Sequence, residues 1–415
     1  MRTRTDPFFV AAGLYLTVGL LAVVGNLTVG LGVLEPVPRL RWVTIHLVTI
    51  GGATQALFGA LPRLVGGDAT GGRTRSHTRW GQWLALNAGY LLVLLGMATG
   101  ESVVALAGAT LVLGALALLL AAVWRLADDA AGAFARYYRV APGFFVVGIL
   151  AAFGMLLGVH GPGGYFGSLE AHVHANVWGF LGVVAAATLS QFLLALTGGD
   201  RRRPRLREVT FWGLTLGAVG LVAGPWLAVD ALTVAGLATY VVGTAALLAT
   251  VVAAARAGGA LRDARVGHVL GAYVWLLVPV PLAPLVLLFP DLVPAAAVER
   301  AAIGGLVFGW LLQLAMGFLP AVAGAVGERD GDLPAAVAAS SHAPSWAGVA
   351  SVNLGVLALW ATAVPALSNV AGALTTAGFA LLAPPWAALL VALWTRLAES
   401  DRGGASPPVR TPSRD

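Results

Sequence analysis

Two histidines one residue apart, His172 and His174, stand at the start of an apolar segment long enough to cross a bilayer. An imidazole inside a membrane is costly and usually faces a partner in the protein interior. Residues i and i+2 of a helix point about 200° apart, because each residue turns the helix by about 100°. We therefore expect the two rings to enter different crevices, so that one helix holds two cofactors, or one cofactor and a structural partner.

The composition is that of a membrane protein in which any metal or haem would be bound mainly by histidine, with methionine, tyrosine or carboxylates as lesser options. Of the 415 residues, 58% are hydrophobic and 11% are charged, whereas soluble proteins carry about 25% charged residues. All 25 basic residues are arginine and there is no cysteine. A retinal or pyridoxal Schiff base needs a lysine amine, so both are excluded. Disulfides, thiolate-ligated haem, iron–sulfur clusters and covalently attached haem are excluded because they need cysteine.

Twelve apolar segments of about 20 residues predict an all-α integral membrane protein with twelve transmembrane helices. With the N-terminus in the cytoplasm, 22 of the 25 arginines lie on the inner side, and only Arg39, Arg41 and Arg300 lie outside. This distribution predicts a multi-pass protein of a prokaryotic cell membrane with both termini cytoplasmic. Topology thus explains the basic charge, so we expect contact with membrane lipid and no nucleic-acid partner. The predicted segments are 8–34, 42–62, 80–99, 102–124, 142–160, 171–197, 209–228, 230–255, 268–289, 297–323, 345–365 and 370–396.

The segments also repeat every four. In segment two, His46 is followed by a glycine at plus five, a glutamine at plus nine and Gly-x-x-Pro at plus thirteen. Segment ten has all three offsets when counted from Gly304, and segment six has the glycine when counted from His174. The pattern predicts three arcs of four helices, about 1–130, 131–258 and 259–400, in one membrane domain, 1–400, before a disordered cytoplasmic tail, 401–415. Other matched positions are Trp80, Asn87 and Gly89 in segment three with Trp346, Asn353 and Gly355 in segment eleven.

The repeat predicts the cofactor sites. It places His46 and one of His172 or His174 at the same depth in neighbouring arcs, an arrangement that indicates bis-histidine haem ligation. The other histidine would face a second crevice, with His160 or Glu170 in reach, and would bind a second haem or a metal such as copper. The outer arginines that suit haem propionates are Arg39, Arg41 and Arg300.

The histidines also have structural interpretations that do not involve a cofactor. His160 precedes a Gly-Pro-Gly-Gly sequence and fits a solvated loop. His77 and His342 precede helix starts, where capping or interfacial positions are usual, and His268 beside an arginine-rich loop also fits the interface. For the helical histidines, an interhelical hydrogen bond is the alternative, as it is for Gln55 and Gln313. No carboxylate lies mid-membrane, so proton pumping is not supported.

The short motifs resemble subunit I of the haem-copper oxidase and nitric oxide reductase superfamily. The closer likeness is to its C-type oxidase relatives and to the NnrS-type membrane haem-copper proteins. The resemblance implies a b-type haem held by His46 and one of His172 or His174, with copper as a further cofactor. It also implies electron transfer, or nitric oxide or oxygen binding, with a redox partner protein at the outer face. The segments that carry the resemblance are His46 to Arg63, Ser76 to Trp80, His172 to Phe180, and Gly317 to Pro320.

The chain departs from the oxidases in ways that limit the expected activity. Oxidases carry their H-x-H pair on helix ten, where this chain has Gly304, and they also have an adjacent histidine pair, which this sequence lacks. A complete oxygen-reducing centre is therefore not expected, and whether the protein is an enzyme stays open. The rival hypotheses are a transporter or channel whose histidines line a polar path, and a cofactor-free assembly subunit.

Overall fold

The protein is an all-α multi-pass membrane protein. The computed structural model describes residues 5–35, 39–66, 73–126, 132–198, 203–277, 289, 295–327 and 332–402, and every regular element in these ranges is a helix. Ten of the described helices are long and apolar enough to cross a membrane, and two shorter apolar helices lie at predicted segments nine and eleven. The rest of segment nine up to residue 288, and the predicted tail from 403 to 415, lie outside the described residues.

We number the α-helices in chain order and treat a helix that contains a π-helical stretch as one element. The helices are α1 (Pro7–Gly30), α2 (Leu40–Gly66), α3 (Arg73–Thr99), α4 (Ser102–Leu126), α5 (Ala135–Leu157), α6 (Gly164–Thr197), α7 (Pro204–Leu227), α8 (Asp230–Ala257), α9 (Ala264–Leu277), α10 (Ala296–Val326), α11 (Leu333–Ala339), α12 (Trp346–Ala361) and α13 (Ala371–Arg402). Short 3-10 helices lie at Gly132–Phe134, Ala260–Arg262 and Pro365–Val370.

Several helices extend beyond the apolar runs that predicted them. Helix α5 begins seven residues before the predicted position 142, and α6 begins seven residues before the predicted position 171. In α5, the additional turns carry Arg136, whose guanidinium makes two hydrogen bonds of 2.6 and 2.7 Å to the Glu208 carboxylate of α7. Paired charges let a helix continue past the hydrocarbon, so hydropathy alone placed these starts too late.

Three helices change to π-helical hydrogen bonding for eight residues each. The π-helical segments are Leu47–Thr54 in α2, Ala175–Gly182 in α6 and Gly305–Leu312 in α10. They begin directly after His46, His174 and Gly304, the three positions that the sequence repeat aligns. π-Helical turns are rare and occur often at functional sites. The aligned positions thus share a backbone feature as well as a sequence pattern.

A close glycine–aromatic contact accompanies each π-helical segment. The glycine five residues after the aligned position packs against an aromatic side chain of the preceding long helix, so tightly that a Cβ atom would overlap the ring or its Cβ. Glycine permits this approach because it has no side chain. The pairs are Gly51 with Tyr15 of α1, Gly179 with Phe144 of α5, and Gly309 with Trp275 of α9.

The helices pack in a closed ring around α2, α6 and α10. Helices α1, α5 and α9 pack against α2, α6 and α10 in turn, and three hairpins follow them, α3–α4, α7–α8 and α12–α13. Helix α4 contacts α5, α8 contacts α9, and α13 returns to contact α1, which closes the ring. We call the face where α1 begins the N-terminal face, and the opposite face, where α2 and α6 begin, the histidine face. Helix α11 lies across the ends of α2, α6 and α10 at the N-terminal face.

Candidate functional site

His46 lies in α2 immediately before the π-helical segment. Its Nδ1 lies 2.8 Å from the carbonyl oxygen of Trp42, and the rings of Trp42 and His46 are tilted by 31° with their centroids 4.0 Å apart. A carbonyl oxygen can only accept, so the Nδ1 of this imidazole carries the proton and donates. The Nε2 atom of His46 is then unprotonated, with its lone pair available to a ligand.

His172 has the same arrangement but uses a neighbouring helix. Its Nδ1 donates to the carbonyl oxygen of Gly148 in α5 over 2.7 Å. Asn176, one turn further along, donates its Nδ2 to the His172 carbonyl over 2.8 Å and packs where a Cβ of Gly148 would lie. The ring is thus fixed at Nδ1, where Asn176 Nδ2 also lies 3.2 Å away, and its Nε2 has no partner among the described residues.

His174 faces the opposite neighbour, as the helical spacing predicts. Its Nδ1 donates to the carbonyl oxygen of Leu221 in α7 over 2.8 Å. Its Nε2 lies 3.6 Å from Oε2 of Glu170, one turn earlier on the same helix. The predicted proximity of Glu170 to the second histidine is therefore present, and the nitrogen of His174 that could bind a ligand already faces a carboxylate.

His46 and His172 share one environment. They lie near enough for their charged forms to repel each other, and no described residue makes a hydrogen bond to the Nε2 of either ring. Histidines that ligate metals usually donate their other N–H to a carbonyl or carboxylate, which fixes the tautomer and the ring orientation. Of the two histidines in the H-x-H pair, His172 is the one that lies within electrostatic range of His46.

The predicted copper ligands do not fit a copper ion in this structure. His160 is exposed in the loop before α6, where its ring packs edge-on against Tyr165 at 5.8 Å. His172 and His174 point to opposite neighbouring helices because they are two residues apart. In the described part of the chain, no three histidine, aspartate or glutamate side chains form a metal-binding group.

Arginines lie at the histidine face near the start of α2 and α10. Arg41 donates from Nη2 to the carbonyl oxygen of Arg300 over 2.9 Å, and Glu299 lies in electrostatic range. Arg39 precedes α2 in the left-handed backbone conformation, with a φ of 59°. The three arginines predicted to lie outside are therefore at the same face as His46 and His172, which fits the expected propionate contacts.

Two histidines at the N-terminal face differ from expectation. His268 was predicted to be interfacial, but its side chain is 1% exposed and its Nδ1 has no partner among the described residues. Helix α9 begins at Ala264, so residue 268 lies one turn inside, where α10 covers it near Gly317. The adjacent Arg265 does not keep this turn in solvent, because it forms an ion pair with Asp263 at 2.7 Å.

His342 lies in the loop before α12, near His268. Burial lowers the pKa of His342; its contact to the Met316 carbonyl raises it, and the charges of Arg396 and Arg265 lower it further. The helix cap is not this histidine but Ser345, whose Oγ accepts from the Gly348 amide over 3.0 Å. Of the two predicted roles, capping is therefore wrong for His342, whereas its half-buried position in the loop before α12 agrees with the interfacial one. His77 is an exposed residue within α3, which begins at Arg73.

Buried polar clusters join the helices of the first and third arcs. In the first, Asn87 Oδ1 accepts from the Tyr15 hydroxyl over 3.0 Å and from Gln55 Nε2 over 2.9 Å. The interhelical role predicted for Gln55 is confirmed. The sequence did not predict that Tyr15 belongs to this cluster. The only indication was that another aromatic residue, Trp275, occupies the corresponding position in the third arc.

The third cluster is incomplete. Asn353 Oδ1 accepts from Trp275 Nε1 over 2.8 Å. Gln313, which is 0% exposed, has no partner among the described residues for either amide atom. Its predicted interhelical hydrogen bond is not formed.

Neither a protein-family model nor a curated protein sequence matches this chain significantly.

Proposed function

We propose that this chain is an integral membrane haem protein in which Nε2 of His46 and Nε2 of His172 ligate one b-type haem. One observation carries the proposal: two neighbouring imidazoles each donate Nδ1–H to a backbone carbonyl and leave Nε2 free. Fixed neutral tautomers of this kind are what axial ligation requires.

The same proposal includes the architecture. We take the twelve apolar helices, α1 to α10 with α12 and α13, as three arcs of four resembling subunit I of the haem-copper oxidases. The three π-helical segments at aligned positions support this, as do the three glycine–aromatic contacts and the packing of α13 on α1. The orientation with both termini in the cytoplasm rests on the arginine distribution.

Bound haem supplies one-electron oxidation and reduction. The protein's own residues would hold it: His46 and His172 would bind it through Nε2, and the Trp42 ring, 4.0 Å from the His46 ring, would help to fix that imidazole. Arg41 and Arg300 lie at the face where propionates would meet water. With two histidine ligands in place, electron transfer with a partner protein at the outer face is the favoured role. Nitric oxide or oxygen binding would require one histidine to leave.

Copper is not part of this proposal for the residues described, since His160, His172 and His174 diverge. His174 and Glu170 instead form a histidine–carboxylate pair on the other side of α6. This divergence makes His174 a matched control for His172, because both lie on one helix and both donate Nδ1–H to a backbone carbonyl.

The test is the visible spectrum of the detergent-purified protein from haem-replete cells, oxidised and dithionite-reduced, with haem and iron measured per chain. We expect a Soret band with sharp reduced α and β bands, lost in His46→Ala and His172→Ala and kept in His174→Ala. Added imidazole should restore the band in the two alanine variants if they remain folded. A colourless wild type would overturn haem binding and favour transport or assembly. Loss of the band in His174→Ala but not in His172→Ala would overturn the ligand assignment.

A further inference from the structure

The three central helices line a cavity of about 140 Å³ that is partly open to its surroundings. Side chains from α2, α6 and α10 line it, and Leu16 of α1 adds to one wall. It begins at the level of Val48, two residues beyond His46, and extends along the helices to Phe192 and Phe318. These two rings pack 5.6 Å apart near the N-terminal face, where α11 lies across the helix ends.

The walls of the cavity are apolar and partly formed by small residues. Ala56 of α2, Ala185 of α6 and Ala315 of α10 each contribute a methyl group. Thr188 supplies the single hydroxyl among the lining side chains, and it already bonds to the Tyr138 hydroxyl at 3.1 Å. A buried water needs two to four polar partners. The cavity therefore has volume for several waters but no polar groups free to hold them.

We propose that this central cavity is a binding site for one small apolar molecule of the class of dissolved gases. The volume of the cavity and the apolar character of its walls together favour this class of molecule. An engineered apolar cavity of about 150 Å³ in another protein stays dry and binds benzene or xenon. The cavity here matches it in volume and in the chemistry of its walls. Apolar gases also concentrate in the bilayer that surrounds these helices, because they leave water for apolar surroundings.

The cavity is lined by residues other than the proposed haem ligands. The polar atoms that define the haem proposal are Nε2 of His46 and of His172, and neither residue lines the cavity. A phenylalanine in place of Ala185 or Ala315 would occupy the cavity from one wall without touching either histidine. Ala107, exposed on α4, offers the same substitution at the outer surface of the bundle.

Xenon is the probe for the test, measured by 129Xe saturation-transfer NMR on the full chain in nanodiscs. We expect a bound resonance distinct from xenon in lipid, with at least tenfold less bound xenon in Ala185→Phe and in Ala315→Phe. Ala107→Phe should keep the wild-type signal. Helical circular dichroism and thermal unfolding establish that each variant is folded. Ala56→Leu, a smaller change, provides the decisive comparison if both phenylalanine variants unfold.

Absence of a bound resonance in wild type would overturn the proposal, and so would a resonance that survives in all three cavity variants. A lipid acyl chain that occupies the cavity in a high-resolution structure would overturn it as well. The haem spectrum is recorded on the same samples. A wild type that contains haem but shows no bound xenon refutes only the cavity site, and a colourless wild type that binds xenon refutes only the haem proposal.

Discussion

The Nδ1 atom of His172 lies 2.7 Å from the carbonyl oxygen of Gly148, on the turn of α5 that faces α6. The same glycine leaves the space in which the Asn176 amide packs. One residue without a side chain thus supplies the acceptor for the imidazole and the room for the residue behind it. The orientation of the proposed ligand depends on the backbone of a neighbouring helix as well as on its own.

Gly148→Ala should displace the Asn176 amide and disturb the orientation of the His172 imidazole. The new methyl would overlap the Asn176 amide, and inserting a methyl into a tight contact costs about 1–3 kcal/mol. We expect lower haem content per chain and a shifted reduced α band, measured by visible spectroscopy. Gly143→Ala is the control, because Gly143 lies on the same helix and nothing lies within 4 Å of its added Cβ. Equal effects of the two substitutions would contradict the role given to Gly148.

Gly309→Ala should lower the thermal stability of the protein. A Cβ atom there would overlap Trp275, which is 6% exposed and has little room to move. The expected loss is about 1–3 kcal/mol, measured as unfolding in detergent. Gly114→Ala in α4 adds the same methyl where nothing lies within 4 Å. That variant should match the wild type or exceed it by about 0.5–1 kcal/mol, the ordinary gain of alanine over glycine in a helix.

Substitution by leucine should lower the stability of the protein at Gln55 but not at Gln313, the two glutamines that the repeat aligns. Gln55→Leu removes the 2.9 Å hydrogen bond to Asn87, and a bond of this kind contributes about 0.5–1.5 kcal/mol. Gln313→Leu removes a buried amide with no described partner, so the substitution should be neutral or stabilising. Thermal unfolding of the two variants under one condition makes the comparison. A larger loss for Gln313→Leu would indicate a partner for that amide.

Stability should fall in mild acid because of His342. Burial and the nearby arginine charges lower its pKa in the folded protein, so the unfolded chain binds the proton more readily. The stabilising contribution is present above the ordinary histidine pKa of about 6.5. It decreases as the pH falls from there towards the folded-state value.

The measurement is the midpoint of thermal unfolding at several pH values between 7 and 5. His342→Gln should flatten the dependence, although buried His268 nearby can retain part of it. His77→Gln is the matched control, since His77 is the corresponding residue of the first arc and is exposed. An unchanged slope in His342→Gln would rule out this source of the acid sensitivity.

Hydropathy and spacing were sufficient to predict the ten membrane-length helices among the described residues, the aligned positions and the divergence of His172 from His174. These properties depend on the chain's own periodicity. The π-helical segments could not be predicted, because α10 is apolar around its whole circumference there and carries no phase signal. Which histidine neighbours His46 could not be predicted either, since the answer depends on how α5 and α2 pack around α6.

The error at His268 has a physical origin. An arginine-rich loop normally marks the membrane boundary, so the histidine beside it was expected to meet water. The structure instead pairs Arg265 with Asp263 and lets α9 begin at Ala264, which carries His268 into the bundle. The ion pair between Arg265 and Asp263 depends on side-chain geometry, which hydropathy does not record. It places the buried part of α9 about one turn earlier than predicted.

Because α13 packs on α1, the ring of helices can close only after α13 has been synthesised and inserted. Helices leave the ribosome from the N-terminus, so the edge of α1 that α13 covers stays exposed to lipid or chaperones until the final described helix has been inserted. His46 and His172 are in place much earlier, on the second and sixth helices. The proposed haem would therefore have an interval in which to enter between the helices of the incomplete bundle, before packing of α13 on α1 closes the ring.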